Sequence, residues 1–265
     1  MPELPEVEQV VRSLRPVVLG EAVEGILRLS PHVLVGEGSL WQALKGKPFR
    51  SVERRGKYIL MEAEGGLVLG FHLRMSGRLL YREGPPFPGQ HLHLHLALTR
   101  GHLLFWDPRK FGRCYLLSPG SPAPWDGLGP DPFDAGEAVL AEWRRRRAPI
   151  KALLLNQRIL SGVGNIYADE ALFRAGIRPG RPGMSLSPKE AERLLQALRE
   201  VMEEALLWGG TTFRHFQDAL GEEGRFARRL SVYGRKGEPC PRCNTPLRRD
   251  VVAGRGSTFC PACQV

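Results

Sequence analysis

Near residue 118 the hydrophobic period of this chain changes, and that change restricts it to a β-rich front and a helical rear. Before it, segments such as "AVEGILRL", "SVERRGKYILMEAE", "GLVLGFHLRM", "HLHLHLAL", "HLLFW" and "RCYLL" are short, alternating or rich in β-formers, and separated by glycine and proline. That is the pattern of antiparallel strands in a sandwich or barrel. The stretch "LSPGSPAPWDGLGPDPFDAG" then reads as a linker near residues 118–136. Beyond it "GEAVLAEWRRRR", "PIKALLLNQRIL", "NIYADEALFRAG" and "SPKEAERLLQALREVMEEALLWGG" carry helical spacing, the last opened by Ser187 as N-cap with Glu190 three residues on. One helix also precedes the strands. Val7, Val10, Val11, Leu14 and Val18 recur on one face of residues 5–19. The expected class is therefore α+β and multidomain: an N-terminal helix with an antiparallel β-sandwich, then a helical domain.

Cys240, Cys243, Cys260 and Cys263 stand as C-x2-C-x16-C-x2-C. Two tight turns at that spacing can offer four thiolates to one tetrahedral zinc, and four protein ligands make such a zinc structural. Disulfides are the competing reading, disfavoured by the paired knuckles and an expected intracellular setting. Cys114, alone in a β-rich segment, reads as a small buried hydrophobe. Arg248, Arg249 and Arg255 between the knuckles suit a phosphate-facing finger.

The charge points the same way. Thirty-eight Lys and Arg against 28 Asp and Glu give a formal +10, which favours a polyanionic partner such as nucleic acid. No run of about 18 uncharged apolar residues is present to cross a bilayer, and Glu6, Glu8 and Arg12 interrupt the first apolar stretch, so no signal peptide is expected. The expectation is a cytoplasmic protein with no membrane partner.

Three motifs coincide: "PELPEVE" at the terminus, "SGVGNIYADEALFRAGI" in the helical part, and the cysteine hairpin. With "RRGKY", "HLRMSG", "DPRKFG", "WGGTTF" and "VYGRKGEPCPRC", the chain resembles the bacterial formamidopyrimidine-DNA glycosylase (8-oxoguanine DNA glycosylase) family over essentially its whole length. The resemblance implies a β-sandwich catalytic domain over residues 1–118, a linker at 119–136, a helix–two-turn–helix domain at 137–230 and a zinc finger at 231–265, with DNA in the cleft between the two main domains. It implies base-excision repair by a bifunctional glycosylase and AP lyase that removes oxidised purines (8-oxoguanine, formamidopyrimidines) from duplex DNA containing oxidised bases or abasic sites. A monomer associated with the nucleoid of a bacterium is expected. The alternatives are a related glycosylase for oxidised pyrimidines and a noncatalytic zinc protein that binds damaged DNA.

The resemblance also assigns residues. Pro2 is the expected nucleophile: if Met1 is removed, as a small second residue permits, the chain begins with a secondary amine. An α-amine titrates at about 8 against about 10.4 for lysine, so part of it is unprotonated at neutral pH. Attack on the sugar C1′ expels the base and leaves an iminium that acidifies the C2′ proton. Glu3 would assist ring opening as an acid, Lys57 would serve β-elimination and Arg255 the δ step, where an always-charged arginine suits neutralising phosphate better than donating a proton. Met75, Arg109 and Phe111 would fill the vacated stack, satisfy the orphaned cytosine and wedge between bases. His91, Arg146, Lys151, Asn165 and Glu170 are the remaining expected DNA or lesion contacts, and "QDALGEEGRFA" reads as a loop over the extruded base. His93 and His95 share a strand face with His91, but no acid or cysteine nearby completes a metal shell. Arg74 in "HLRMSG" departs from the glycine common in the family.

Overall fold

The computed structural model describes residues 1–36, 38–84, 89–213 and 216–265. Helix α1 (Leu4–Val18) starts where the periodicity predicts, with Pro5 in its first turn, where a missing N–H costs little. It buries Val7, Val10, Val11, Leu14 and Val18 completely or almost so. Then follow β1 (Val23–Leu29), β2 (Leu34–Val35), the short α2 (Leu40–Ala43), β3 (Phe49–Arg55), β4 (Tyr58–Ala63), β5 (Leu67–His72), β6 (Arg78–Arg82), β7 (Leu92–Leu98), β8 (His102–Trp106) and β9 (Arg113–Leu117). The strands form a four-stranded sheet, β1-β7-β8-β6, and a five-stranded sheet, β2-β9-β5-β4-β3. All pairings are antiparallel except that of β2 with β9.

The two sheets share one core with α1. Leu79, Leu94, Leu96, Leu103 and Phe105 of one sheet meet Phe49, Ile59, Met61, Leu69, Phe71 and Leu116 of the other. The Phe71 and Phe105 rings lie 5.6 Å apart. Each such side chain contributes about 1.5–3 kcal/mol of burial. The alternation read from the sequence is thus the inward and outward pleat of a sandwich. Cys114 is fully buried there, and burial pushes its thiol well above its ordinary pKa, as befits a core residue.

Contacts divide the chain into two compact units, Met1–Asp126 with Trp208–Arg225, and Gly127–Leu207 with Phe226–Val265. The front half of the expected linker is fastened to the first unit. Trp125 packs on Tyr58 and Tyr115, and a Cβ on Gly70 would come within 2.6 Å of the Trp125 ring, so the strand needs glycine there. The expected domain at 137–230 would keep Trp208–Arg225 with the helices before it, but contacts group that segment with the first unit. Its backbone is fixed by donors and acceptors of α1 and β6: Ala219 donates to Ser13 Oγ at 2.9 Å and accepts from the Tyr81 N–H at 2.8 Å. The expected lesion loop therefore covers the edge of β6, where unpaired backbone groups would otherwise be left.

In the second unit α3 (Glu137–Arg144), α4 (Ile150–Leu155), α5 (Asn165–Ala175) and α6 (Pro188–Leu207) precede a hairpin of β10 (Arg248–Val252) and β11 (Arg255–Phe259). Helix α5 is buried along nearly its whole length and ends at Gly176, whose φ of 71° closes it. The capping box predicted for α6 is present: Ser187 N–H donates to Glu190 Oε2 at 2.8 Å, and Glu190 N–H to Ser187 Oγ at 3.3 Å. Among the described residues no helix is long and apolar enough to cross a membrane.

Candidate functional site

The terminal motif is a built structure rather than a frayed end. Glu3 is the N-cap of α1, and its N–H donates to Glu6 Oε2 at 2.8 Å. The second oxygen of Glu6 accepts the Thr211 N–H at 2.7 Å, and Gly210, with φ 85°, lies so close that a Cβ would sit 3.1 Å from that oxygen. One buried carboxylate thus sets the backbone on which Pro2 and Glu3 ride. The sequence reading missed Glu6. The signal was available in the Glu3-x-x-Glu6 spacing, a capping box with an acid at each end.

Lys57 sits in a two-residue turn joining β3 to β4, whose first residue, Gly56, has φ 58°, the conformation such hairpins need. Arg54 anchors this turn to α1, donating to Glu8 Oε2 at 3.0 Å and to the Gly56 carbonyl at 3.3 Å. Lys57 is buried, and so is His72, which stands opposite Tyr58 in the β4 and β5 ladder. Burial first, then the charges of Arg74 and Lys57, holds the His72 imidazole down to about 3. Its Nδ1 accepts the Arg74 N–H at 3.1 Å, so the single ring proton lies on Nε2.

The structure brings Met75, Arg109 and Phe111 together. Met75 and Phe111 are 51% and 48% exposed, unusual for large apolar groups beside a full core. The Arg109 guanidinium lies 4.7 Å from the Phe111 ring centre, and its Nη1 is 3.9 Å from Met75 Sδ. The organiser is Asp107, fully buried and absent from the sequence-derived set. Its Oδ1 accepts Ser76 Oγ at 2.5 Å and the Arg109 N–H at 3.1 Å, and its Oδ2 accepts the Gly112 N–H at 2.7 Å. Asp-Pro opening a glycine-ended turn was the available signal. His91 adjoins this loop, since its carbonyl accepts the Asp107 N–H at 2.9 Å. Replacing Asp107 by alanine leaves three donors without their acceptor and is expected to cost about 3 kcal/mol in urea unfolding. It should also speed amide exchange at Arg109 and Gly112; unchanged protection at both would refute the organising role.

Lys151 and Glu170 were expected to face DNA or lesion, yet both are buried and engaged inside the second unit. Lys151 Nζ donates to Asp169 Oδ1 at 2.6 Å, the Gly256 carbonyl at 2.9 Å and Ser257 Oγ at 2.7 Å. Glu170 accepts the backbone N–H groups of Ser231, Val232 and Tyr233 at 2.8–2.9 Å. A buried charge persists only where such partners replace water. These two residues therefore hold the segment entering the finger and the tip of its hairpin from behind. Asp169 belongs with them, its Oδ2 accepting the Thr258 N–H at 3.0 Å, and the sequence reading missed it too.

Asn165 opens α5 as expected and donates through Nδ2 to the Gly256 carbonyl at 3.0 Å. The turn before it is held by Gln157, which donates to the Leu155 and Val163 carbonyls and accepts the Gly162 N–H at 3.0 Å. Arg255 is exposed at the start of β11, after a turn in which Ala253 and Gly254 both have positive φ. Arg146 is exposed just past the last turn of α3 and ion-paired with Glu142, as Arg145 is, so the structure places it on a solvated helix end.

The four hairpin cysteines converge, with all sulfurs within 4.8 Å of one another. Cys240 Sγ is 3.9 Å from Cys263 Sγ, and Cys243 Sγ is 3.5 Å from Cys260 Sγ. These separations exceed a disulfide's ~2.05 Å and match the edge of a tetrahedron with ~2.3 Å zinc–sulfur bonds. Backbone N–H groups of Arg242 and Cys263 approach Cys240 and Cys260 Sγ at 3.4 Å. The donor set fits one structural zinc. His93 and His95 form no such shell: His93 bonds the Asp107 carbonyl and His95 pairs with His102.

Comparison with known proteins places this geometry among relatives. Residues 1–114 match the formamidopyrimidine-DNA glycosylase N-terminal domain, 128–217 the formamidopyrimidine-DNA glycosylase H2TH domain and 237–265 a zinc finger found in FPG and IleRS. A formamidopyrimidine-DNA glycosylase of Desulfitobacterium hafniense is 46% identical over the full length of both chains. The crystal structure of the MutM (Fpg) protein from Thermus thermophilus superposes with a TM-score of 0.88 at 43% identity, covering 99% of this chain and 98% of that one. Lactococcus lactis Fpg bound to abasic-site DNA superposes at 0.91 with 34% identity, covering 99% of each chain.

Proposed function

The chain belongs to the formamidopyrimidine-DNA glycosylase family, and from that premise we propose that it excises oxidised purines from duplex DNA and cleaves the resulting abasic site. The observation that carries this reading is the exposed cluster of Met75, Arg109 and Phe111 on a rigid, Asp107-centred loop. Two apolar groups and a cation held out of a closed core suit a vacated base stack and its orphaned partner. A noncatalytic reader of damage would need the same cluster, so chemistry rests on the terminus.

There the Glu6 carboxylate fixes the backbone of Glu3, and Pro2 directly precedes it at the positive end of α1. Removal of Met1 converts that nitrogen from an amide to a secondary amine. Its lone pair forms a bond to C1′ while the C1′–base bond breaks and the base leaves with the bonding pair and a proton. Glu3 supplies a proton to the ring oxygen as the sugar opens to the iminium. Loss of the C2′ proton then expels the 3′ phosphate, with Lys57 assisting, and the second elimination expels the 5′ phosphate, which Arg255 helps neutralise. His91 and Asn165 contact the backbone of the same duplex, while Lys151 and Glu170 support the finger. The location that follows is the cytoplasm, on the nucleoid of a bacterium.

Borohydride reduction during reaction with an 8-oxoguanine duplex, followed by mass-spectrometric mapping, tests this. The expected product is a covalent adduct on Pro2 in protein lacking Met1. Binding without any adduct would instead make the protein a reader of damage. A duplex carrying an oxidised pyrimidine belongs in the same experiment, because the Lactococcus lactis enzyme has been crystallised on such DNA; adduct only with that duplex would shift the lesion class.

A further inference from the structure

Arg74 is one of four non-glycine residues with positive φ among the described residues, at 54°. For a side chain with a Cβ this left-handed backbone costs about 1 kcal/mol relative to glycine. The turn does not let it relax. Its N–H is held by His72 Nδ1, and the Gly77 N–H closes the turn on the Leu73 carbonyl at 2.9 Å. Ser76 is fastened to Asp107 at 2.5 Å, and Gly77 admits no side chain, since a Cβ would lie 2.5 Å from the Leu73 oxygen. The local conformation favours glycine at position 74, and an arginine stands there.

The arginine is aimed at no acid. Its side chain is exposed and makes no ion pair among the described residues. Its N–H is bonded to His72, the last residue of β5, which pairs with Tyr58 of β4 and Arg113 of β9, so Arg74 stands at that end of the sheet. Lys57 acts on the same imidazole. In the ladder Tyr58 faces His72, so Lys57 precedes one member of this pair and Arg74 follows the other by two residues. Lys57 and Arg74 thus flank the Tyr58 and His72 pair at the same end of the sheet, with Met75 next in the turn.

We propose that Arg74 is a phosphate-binding residue, taking a backbone phosphodiester of the duplex on the Lys57 side of the Met75, Arg109 and Phe111 cluster. This inference rests on the DNA-repair reading above. A planar fork of donors suits two phosphate oxygens at once. The phosphate contact is what the strained backbone at this position obtains in place of the glycine the turn favours.

Glycine is the informative replacement, because it removes the charge and fits the φ, whereas alanine would keep the strain. Equilibrium binding to an 8-oxoguanine duplex, followed by fluorescence anisotropy over a range of salt concentrations, gives the readout. Arg74→Gly is expected to weaken binding about tenfold at low salt and to reduce the slope of log affinity against log salt by about 0.9, the value for one phosphate contact. Arg74→Lys is expected to keep the slope and lose part of the affinity. The melting temperature of Arg74→Gly should equal or exceed that of the parent, which separates lost binding from lost fold. An unchanged slope in Arg74→Gly, with the parent steeply salt-dependent, overturns the proposal alone. A parent protein that does not bind the duplex overturns the DNA reading as well.

Discussion

Replacing Cys260 with serine is expected to abolish zinc retention and unfold the β10 and β11 hairpin. The hairpin has little else to fold around: its apolar cluster comprises Phe173, Val232, Cys240, Leu247 and Cys260, two of which are the ligands themselves. Zinc contributes about 10–16 kcal/mol to folding of comparable small fingers, far more than so few apolar contacts supply. Serine keeps the volume and loses the thiolate. Metal analysis should show zinc falling from one per chain towards none, and a strong chelator should reproduce the result in the parent. Binding to damaged duplex should weaken with it, because Arg255 is carried on the strand that Cys260 terminates. The sandwich shares no residue with the finger, so its own unfolding transition should stay in place. Full zinc content or full duplex affinity in the variant would remove the finger from this account.

The second large effect is expected at Lys151. Methionine there keeps most of the volume but leaves the Asp169 carboxylate buried with the Thr258 N–H as its remaining partner in this network. Breaking a buried pair from one side costs about 3–5 kcal/mol. The loss has a definite pH dependence. Burial lifts the Asp169 carboxyl to about 6 against the pull of Lys151, and without the lysine it rises further. A folded-state pKa above the unfolded value of 3.8 means that ionisation opposes folding as pH rises through this window. The deficit of Lys151→Met relative to the parent is therefore greatest above the folded pKa and shrinks as pH falls through it, since a protonated carboxyl needs no cation. Urea unfolding at about pH 8 and about pH 5 measures the difference. Lys151→Met combined with Asp169→Leu should recover most of the loss, as apolar replacements of whole buried pairs do. A deficit independent of pH would show that the pair is not what Lys151 serves.

These two sites show which features were legible beforehand. Cysteine spacing forecast the metal centre because knuckle geometry is local: two residues between ligands suffice to point both sulfurs inward. The faces of α1 and α6, and the Ser187 and Glu190 cap, were legible for the same reason. Resemblance, rather than any local pattern, implied roles for Pro2, Glu3 and the Met75, Arg109 and Phe111 group, the last three of which the fold gathers into one cluster. Lys151 and Glu170, which it implied as DNA or lesion contacts, are held in buried networks that resemblance did not foretell. The partners of Lys151 lie 18, 105 and 106 positions away in the chain, beyond any periodic signal.

What the sequence determined by itself is whatever follows from neighbours along the chain, namely strand alternation, helix faces and caps and the zinc knuckles, together with a basic net charge. Tertiary structure alone decided that Asp107 organises three exposed groups, that Glu6 sets the terminal backbone, that Trp208–Arg225 rejoins the first unit, and that Arg74 is locked at positive φ. The reason is physical. A buried polar group must find partners wherever the packed chain offers them, and those partners are chosen by three-dimensional proximity, whatever their order along the chain.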